Sequence, residues 1–395
     1  MAQTFDVIVV GMGAMGSSTM YQLAKRGLRV LGIDQFEPPH KFGSTHGETR
    51  MTRAACAEGF IFTKFAQRSH EIWRDIENQM GRPASLLTLN GQLVISGPDV
   101  NPSHGVEFFL GATKDQAKHA GIQHDNLSSA EVRARFPMFS IEDNEAAYHD
   151  ALSGFVRPED AIQAQLSLAE TFHAATHTGE RMIDFSSTAS GVHVRTSKGE
   201  YAANMLVLTT GPWLPAMLPA DEKEKLKVTR QVLYWFALKR EEDLPMFRAE
   251  RLPTFLWFKP DPGFLVYGFP ALGSARDGIK LATEQKNPEP ISPELVDRVV
   301  SAREQEEFYE MYVRPSFPAL SEECVRAEVC LYTDKKRARF IIDRHPEMEN
   351  VICVSACSGH GFKHSPAIGE LVADMVMTPG HQGLAQFRWQ YDGVL

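Results

Sequence analysis

The sequence of 395 residues predicts an α/β fold with a parallel sheet, joined to a smaller α+β unit of antiparallel strands. Two observations favour this class. The chain opens with an apolar strand, a glycine-rich turn and a helix, and helix-flanked apolar strands return near its end, as in parallel sheets covered by helices. Aromatic and β-branched runs with turn residues on either side fill the middle of the chain, which is typical of antiparallel strands.

Each predicted element rests on a local pattern. Apolar, β-branched runs bounded by turn residues indicate strands, and apolar residues at helical spacing bounded by caps, glycine or proline indicate helices. Pro158 suits the first turn of one helix, and Ser365 and Pro366 suit the N-cap and N1 positions of another. The predicted strands are 5–10, 28–34, a hairpin at 191–211, 228–239 and 264–270, and the predicted helices are 14–27, 60–81, 157–179 and 365–377.

The composition excludes several classes of protein. Hydrophobic residues make up 43% of the chain and charged residues 23%, as in ordinary globular proteins. A formal net charge of -9 leaves no basic surface for nucleic acid or anionic lipid. The N-terminus lacks a basic leader, and no apolar run approaches the ~20 residues of a membrane span. We therefore expect no nucleic-acid or membrane partner and a cytoplasmic protein, in line with its odd number of cysteines, 5.

A G-x-G-x-x-G motif, formed by Gly11, Gly13 and Gly16, follows the first strand and opens the first helix. The first glycine allows a tight turn, the second lets the backbone approach a pyrophosphate, and the third lets helix and strand pack closely. Asp34 ends the next strand, where it can accept a hydrogen bond from a ribose hydroxyl. The motif predicts a dinucleotide site and argues against an NADP 2′-phosphate, but it does not choose between FAD and NAD.

Four further stretches carry reactive or charged residues in loops or at strand ends. They are GSTHGETRMTR (43–53), LVLTTGPW (206–213), AEVCLYT (327–333) with Cys330, and CSGHGFKHSP (357–366) with Lys363. A glycine-rich loop before a helix can present amides and the positive helix end to an anion. Taken alone, Cys330 would be a buried apolar thiol. The cysteines lack metal-ligand spacing, so no metal site is predicted.

Together these motifs resemble the monomeric sarcosine oxidase and N-methyltryptophan oxidase family, flavoenzymes of the glycine/D-amino-acid oxidase fold. The segments PPH…GSTHGETR…R, YGFP…GIK, VCLYT, FIID…HPE and SGHGFK occur in family order over nearly the whole chain. The resemblance implies a monomer with an FAD-binding Rossmann-like domain interleaved with a smaller antiparallel-sheet substrate domain. The implied FAD-binding segments are 1–85, 150–225 and 325–395, and the implied substrate segments are 86–149 and 226–324.

The resemblance also implies how FAD is held. It implies an 8α-S-cysteinyl bond to Cys330, whose thiolate a nearby cation would favour, and it places His46 and Arg50 close to the flavin ring with catalytic roles. The other implied cofactor contacts are Gly11, Gly13, Met15, Gly16, Asp34, Ser44, Thr49, Gly359, Gly361, Phe362 and Lys363.

The substrate site is implied in the same way. The substrate carboxylate would lie between Arg53 and Lys363, a bidentate fork and a point charge. Tyr267 and Tyr332 match tyrosines around the substrate, and Gly359 adds a further contact. The resemblance assigns Tyr267 a catalytic role as well. Lys280 in GIK matches the residue that activates molecular oxygen in this family.

We therefore expect an FAD-dependent oxidase of a secondary, N-methyl or other N-alkyl, amino acid that yields an imine and hydrogen peroxide. One alternative is a flavin dehydrogenase of the same fold that passes electrons to a carrier or quinone, against which Lys280 argues. The other is a non-catalytic or NAD-binding module, which leaves Cys330 and the Lys363 loop unexplained.

The chain departs from its family near the substrate. Glu284 stands where the sarcosine enzymes have histidine, Thr45 and Glu48 replace a usual histidine and aspartate, and two extra residues separate GFP from GIK. Glu284 would discourage acidic side chains on the substrate and tolerate polar or basic ones, so the departures put the substrate in doubt and leave the chemistry unchanged.

Overall fold

The computed structural model describes residues 3–83, 85–97, 103–259, 264–284 and 288–391. The helices are α1 (Ala14–Lys25), α2 (Phe60–Gln79), α3 (Phe109–His119), α4 (Ser129–Arg135), α5 (Pro158–Thr171), α6 (Ala220–Lys223), α7 (Leu244–Phe247), α8 (Ala302–Phe308) and α9 (Ser365–Met377). The strands are β1 (Gln3–Val10), β2 (Val30–Ile33), β3 (Arg50–Thr52), β4 (Leu87–Thr88), β5 (Gln92–Ser96), β6 (His124–Ser128), β7 (Ala146–Asp150), β8 (Gly154–Val156), β9 (Ala175–His177), β10 (Met182–Thr188), β11 (Gly191–Thr196), β12 (Glu200–Leu208), β13 (Leu226–Leu238), β14 (Thr254–Lys259), β15 (Phe264–Gly268), β16 (Ile279–Ala282), β17 (Leu320–Lys335), β18 (Ile341–His345) and β19 (Met348–Ser355).

The first sheet is parallel at its centre, as the sequence predicts. Its order is β10-β11-β12-β1-β2-β9, with β19 beside β12 and β18 beside β19. Strand β1 runs parallel to β2 and β12, and Val7, Ile8 and Val9 are fully buried. Helix α1 packs on α5 and α9. A continuous apolar strand is what a parallel sheet covered by helices requires.

Most predicted elements are confirmed, and two helix boundaries are wrong. The hairpin forms as β11 and β12. The helix predicted over 157–179 ends at Thr171, His173 takes a positive φ of 67°, and β9 then adds to the edge of the sheet. Ser365 is not the N-cap: a 3-10 turn precedes α9, His364 is the cap, and Ser365 is the first helical residue. At the first place pairing of β9 with β2 outweighs the local helical pattern, and at the second the helix start differs from the predicted one by a single residue.

The second sheet is mostly antiparallel and has the order β17-β13-β16-β15-β14-β5-β7-β6. Strands β13 and β17 pair along most of their length, which sets Cys330 opposite Gln231. One face packs on an aromatic core that includes Phe255, Trp257 and Phe317. The domain boundary proposed between residues 324 and 325 falls inside β17, so the domain division stays a prediction.

The two sheets meet at a cavity of about 420 Å³. Val10, Ile33 and Thr209 line it from the carboxyl ends of β1, β2 and β12, where open α/β sheets bind ligands. Tyr267 and Cys330 line it from β15 and β17 of the second sheet.

Among the helices of the described residues, none is long and apolar enough to cross a membrane.

Candidate active site

The glycine-rich turn at one end of the cavity has the geometry that its sequence predicts. Gly11 has a φ of +90°, and a Cβ there would lie 2.6 Å from the carbonyl oxygen of Thr209. A Cβ on Gly16 would clash with the carbonyl oxygen of Gly11. Gly13 lines the cavity, and a Cβ on it would meet none of the described atoms within 4 Å. Gly11 and Gly16 are therefore required by the fold, whereas Gly13 keeps space open for a ligand.

Thr209 ties the strand end of LVLTTGPW to this turn. Its Oγ1 donates to the carbonyl oxygen of Gly11 at 2.6 Å and lies 3.0 Å from that of Val10. The next residues, Thr210 to Trp213, also line the cavity. The strand end in LVLTTGPW, one of the four stretches singled out from the sequence, is thus held against the glycine-rich turn.

Asp34 lies in the cavity and also holds the turn together. Its carboxylate accepts from the backbone N–H of Met12 at 2.7 Å and of Phe36 at 2.9 Å. Burial raises its pKa, and these two hydrogen bonds oppose the shift. A carboxylate has further lone pairs, so Asp34 can also accept from a ribose hydroxyl. The open space at Gly13 and the acid at Asp34 fit a dinucleotide.

Cys330 lies at the other end of the same cavity. It is 1% exposed and packs with Leu233, Trp235 and Ala282. Burial raises the pKa of its thiol, and Arg50 and Lys280 only partly oppose that shift. The expected cations are present, since Arg50 and Lys280 both favour the thiolate, but burial is the larger effect and the pKa of the thiol lies above its usual value.

A second thiol, which the sequence did not single out, also lines the cavity. Cys357 opens the glycine-rich loop before α9, and burial raises its pKa to about 11. Gly359, Gly361, Phe362 and Lys363 of the same loop line the cavity too. The loop predicted to contact the cofactor therefore lines the same cavity as the glycine-rich turn, and it adds a second cysteine there.

Of the residues expected beside the flavin ring, Arg50 lines the cavity and His46 lies behind it. Arg50 donates to the carbonyl oxygens of Ser44 at 2.9 Å and Thr49 at 3.0 Å. His46 Nδ1 lies 3.1 Å from Glu328 Oε2, and burial lowers the pKa of His46 despite this carboxylate. Met15 and Ser44 line the cavity, whereas Gly16, His46 and Thr49 are not among its lining residues.

Lys280 is buried at the wall of the cavity. Its Nζ donates to the carbonyl oxygens of Gly47 and Thr49, both at 2.7 Å, and lies 3.2 Å from Thr49 Oγ1. Burial and the neighbouring Arg50 lower its pKa well below the usual value. Its other side borders a second cavity of about 440 Å³ beside Trp235. Thr49 therefore orients Lys280 rather than lining the main cavity.

The two residues expected to bind the substrate carboxylate lie together. Arg53 Nη2 contacts Glu58 Oε1, and Arg53 Nη1 has no hydrogen-bond partner among the described residues. Lys363 Nζ donates to the carbonyl oxygen of His360 at 2.6 Å. Burial and Arg53 lower the pKa of Lys363 to about 8. Arg53 and Lys363 thus form a cationic pair facing the cavity, which we call the carboxylate clamp.

Tyr267 and Tyr332 lie beside the clamp, with hydroxyl oxygens 3.5 Å apart. Burial raises the pKa of both, so the phenols stay neutral at physiological pH. Leu256 and Leu265 complete an apolar wall. Gly359 has a φ of +74° and lies against the Tyr332 ring. This end of the cavity can hold a small carboxylate in a mostly apolar space.

Three charged side chains at this end of the cavity need a separate description. Two of them, Glu58 and His104, were not predicted from the sequence, and the role of the third, Glu284, was left open. Glu58 is buried, and although burial would raise its pKa, Arg53 and Lys363 lower it well below its usual value. His104 lines the cavity between Glu58 and Glu284. Glu284 lines it as well, so its carboxylate faces the cavity. Glu58 lies five residues after Arg53 in the same loop, which is the only local signal for it.

The chain matches the family model described as FAD dependent oxidoreductase over residues 6–375. It is 34% identical to monomeric sarcosine oxidase from Streptomyces avermitilis, over 96% of this chain and 95% of that protein. It is 32% identical to N-methyl-L-tryptophan oxidase from Yersinia pestis, over 93% of this chain and 94% of that protein.

Solved structures share the fold at lower identity. NikD, described as an unusual amino acid oxidase essential for nikkomycin biosynthesis, aligns with a TM-score of 0.80 at 21% identity over 95% of this chain and 94% of its own. L-proline dehydrogenase from P. horikoshii aligns with a TM-score of 0.76 at 19% identity, over 95% of this chain and 94% of its own. The two-sheet fold described above is therefore shared with an amino acid oxidase and an L-proline dehydrogenase.

Proposed function

Because the chain belongs to the family of FAD-dependent oxidoreductases, we propose that it oxidises a secondary amino acid with an N-methyl or other N-alkyl group. One observation carries the proposal: the carboxylate clamp opens on the same cavity as the glycine-rich turn. The names of the two relatives, a sarcosine oxidase and an N-methyl-L-tryptophan oxidase, support an N-methyl amino acid as the substrate class.

Bound FAD supplies the electron acceptor that turns the CH–NH bond of the substrate into an imine, and oxygen then takes the electrons to give hydrogen peroxide. The residues of the chain position the substrate and keep water away. Arg53 Nη1 and Lys363 Nζ orient the carboxylate, and the wall of Tyr267, Tyr332 and leucines is apolar. An apolar wall beside two cations favours the unprotonated amine, so no protein base is required.

The tether of FAD to Cys330 belongs to the same proposal. Its support is the position of Cys330, which is buried and lines the same cavity as the glycine-rich turn and the clamp. Cys357 competes for this role because it also lines the cavity. The family motif VCLYT favours Cys330.

Lys280 supports an oxidase over the alternative flavin dehydrogenase. Burial lowers the pKa of Lys280, but its protonated form, oriented by Gly47 and Thr49 at the cavity wall, can stabilise an oxygen anion without reorganising. We also infer a monomer, for which the name of the sarcosine oxidase relatives is the support. Size-exclusion chromatography tests that inference.

The function is tested by screening purified holoenzyme for hydrogen peroxide with N-methyl and cyclic amino acids in air-saturated buffer. We expect peroxide in equal amount to the oxygen consumed for at least one N-methyl amino acid, and much slower peroxide formation for the matching methyl ester. Turnover with an artificial electron acceptor but without peroxide would instead favour the dehydrogenase.

A further inference from the structure

A row of alternating charges crosses the end of the cavity where the clamp lies. Arg53 contacts Glu58, and His104 Nδ1 lies 3.2 Å from the same oxygen of Glu58. His104 Nε2 in turn contacts Glu284 Oε1. Ser103 Oγ donates to the other oxygen of Glu284 at 3.0 Å. Residues from separate parts of the chain thus form one continuous polar row.

This row borders the substrate space directly. A Cβ built on Gly359 would lie 3.0 Å from His104 Nε2 and 3.2 Å from Glu284 Oε1, and it would also lie 3.0 Å from the Tyr332 ring. His104 and Glu284 both line the cavity beside Lys363. Any substrate whose carboxylate reaches the clamp must therefore place its side chain near this pair.

The geometry determines the charge of His104. Each of its ring nitrogens faces a carboxylate oxygen, and a neutral imidazole could donate to only one of them. Burial alone would lower its pKa, but Glu284 and Glu58 raise it to about 9. His104 is therefore an imidazolium at physiological pH. The neighbouring His360 stays neutral, because burial lowers its pKa well below the usual value.

The net charge of the side chains around the clamp is balanced by one bound anion. Arg53, Lys363 and His104 are positive, and Glu58 and Glu284 are negative, so these five side chains together carry one excess positive charge. One substrate carboxylate balances it. A second carboxylate would be buried beside Glu284 without a counter-charge, which is costly. A basic side chain would have to displace His104, because Glu284 already contacts His104 and Ser103.

We propose that Glu58, His104 and Glu284 form a charge-selective subsite that admits amino acids with one carboxylate and an uncharged side chain. This rests on the proposed function, since it assumes that the clamp binds a substrate carboxylate. From the sequence we expected Glu284 to discourage acidic side chains on the substrate and to tolerate basic ones. The subsite instead rejects both acidic and basic side chains.

The test compares two unreactive ligands of equal length, butyrate and succinate, by titration calorimetry of the holoenzyme near pH 7. Wild-type protein should bind butyrate at least roughly tenfold more tightly, because a second anion meets like charge. In Glu284→Gln the succinate-to-butyrate ratio of dissociation constants should fall at least roughly fivefold, since the repelling carboxylate is gone. Glu289→Gln, which changes an exposed glutamate five positions after Glu284 in the sequence, should leave the ratio unchanged.

His104→Gln is a second variant, which removes a positive charge where Glu284→Gln removes a negative one. It removes a cation from the row, so it should weaken both ligands, while circular dichroism checks that the fold is retained. Equal affinity for the two ligands in the wild type, or an unchanged ratio in Glu284→Gln, would overturn the subsite while leaving the clamp intact. Failure of the wild type to bind either ligand would instead refute the clamp, and with it the proposed function.

Discussion

Arg53 and Glu58 form a buried ion pair that uses only one side of the guanidinium. Both side chains are 3% exposed, and the contact joins Arg53 Nη2 to Glu58 Oε1. Arg53 Nη1 has no hydrogen-bond partner within the described ranges. Glu58 thus keeps the arginine compensated in the absence of ligand, and the remaining N–H groups stay available for a substrate carboxylate. A buried arginine without either partner would be strongly destabilising.

The clamp leads to the first prediction. Arg53→Gln and Lys363→Gln should each weaken butyrate binding by roughly 1.5–3 kcal/mol, the range for hydrogen bonds to charged groups. Titration calorimetry measures the change, and Arg195→Gln, an exposed arginine paired with Asp184, is the matched control. Methyl esters of good substrates should be poor substrates for the same reason. An ester that is oxidised as fast as its acid would show that the clamp does not bind the carboxylate.

The pH dependence of binding follows from Lys363. Its pKa is lowered to about 8, so it is charged below that pH and neutral above it. A carboxylate binds the charged form, and the affinity for butyrate should therefore be full below about pH 7 and fall as the pH rises through 8. Dissociation constants across this range measure the effect. In Lys363→Gln binding should be weaker and flat near pH 8, and any decline near pH 9 would come from His104.

The tether to Cys330 predicts that flavin stays with the polypeptide after denaturation in SDS, giving a fluorescent band. Cys330→Ser should release the flavin. Cys357→Ser is the stringent control because this thiol also lines the cavity, and Cys324→Ser is a second control on the same strand. Both controls should keep the band. Loss of the band in Cys357→Ser but not in Cys330→Ser would move the tether to the glycine-rich loop.

Lys280 should act on oxygen rather than on the substrate. Transfer of the first electron to oxygen creates an anion, and a preorganised cation is worth roughly 3–4 kcal/mol, or two to three orders of magnitude in rate. Stopped-flow of Lys280→Met should thus show slow reoxidation by oxygen, with reduction by substrate changed at most modestly. Lys227→Met, an exposed lysine on β13, should change neither rate. Normal reoxidation in Lys280→Met would reopen the dehydrogenase alternative.

The glycine-rich turn and its acid could be predicted from sequence because they are local. Gly11, Gly13, Gly16 and Asp34 belong to one strand–turn–helix–strand unit, and the turn closes through contacts within it and with Thr209. The apolar runs of both sheets are local in the same way. The error at residues 175–177 arose because a helix-like pattern there was outweighed by pairing with β2, which no local pattern reports.

By itself, then, the sequence determined the elements, the dinucleotide turn and the family, since each is encoded in short-range periodicity, glycine conformations and ordered motifs. Only the tertiary structure decided what surrounds the substrate. Ser103 and Glu284 are separated by 181 residues, and their contacts, together with that of His104, depend on how the segments that follow β5 and β16 of the second sheet come together. Charges interact through distance in space, so the balance at the clamp became visible only once the folded chain had brought these groups together.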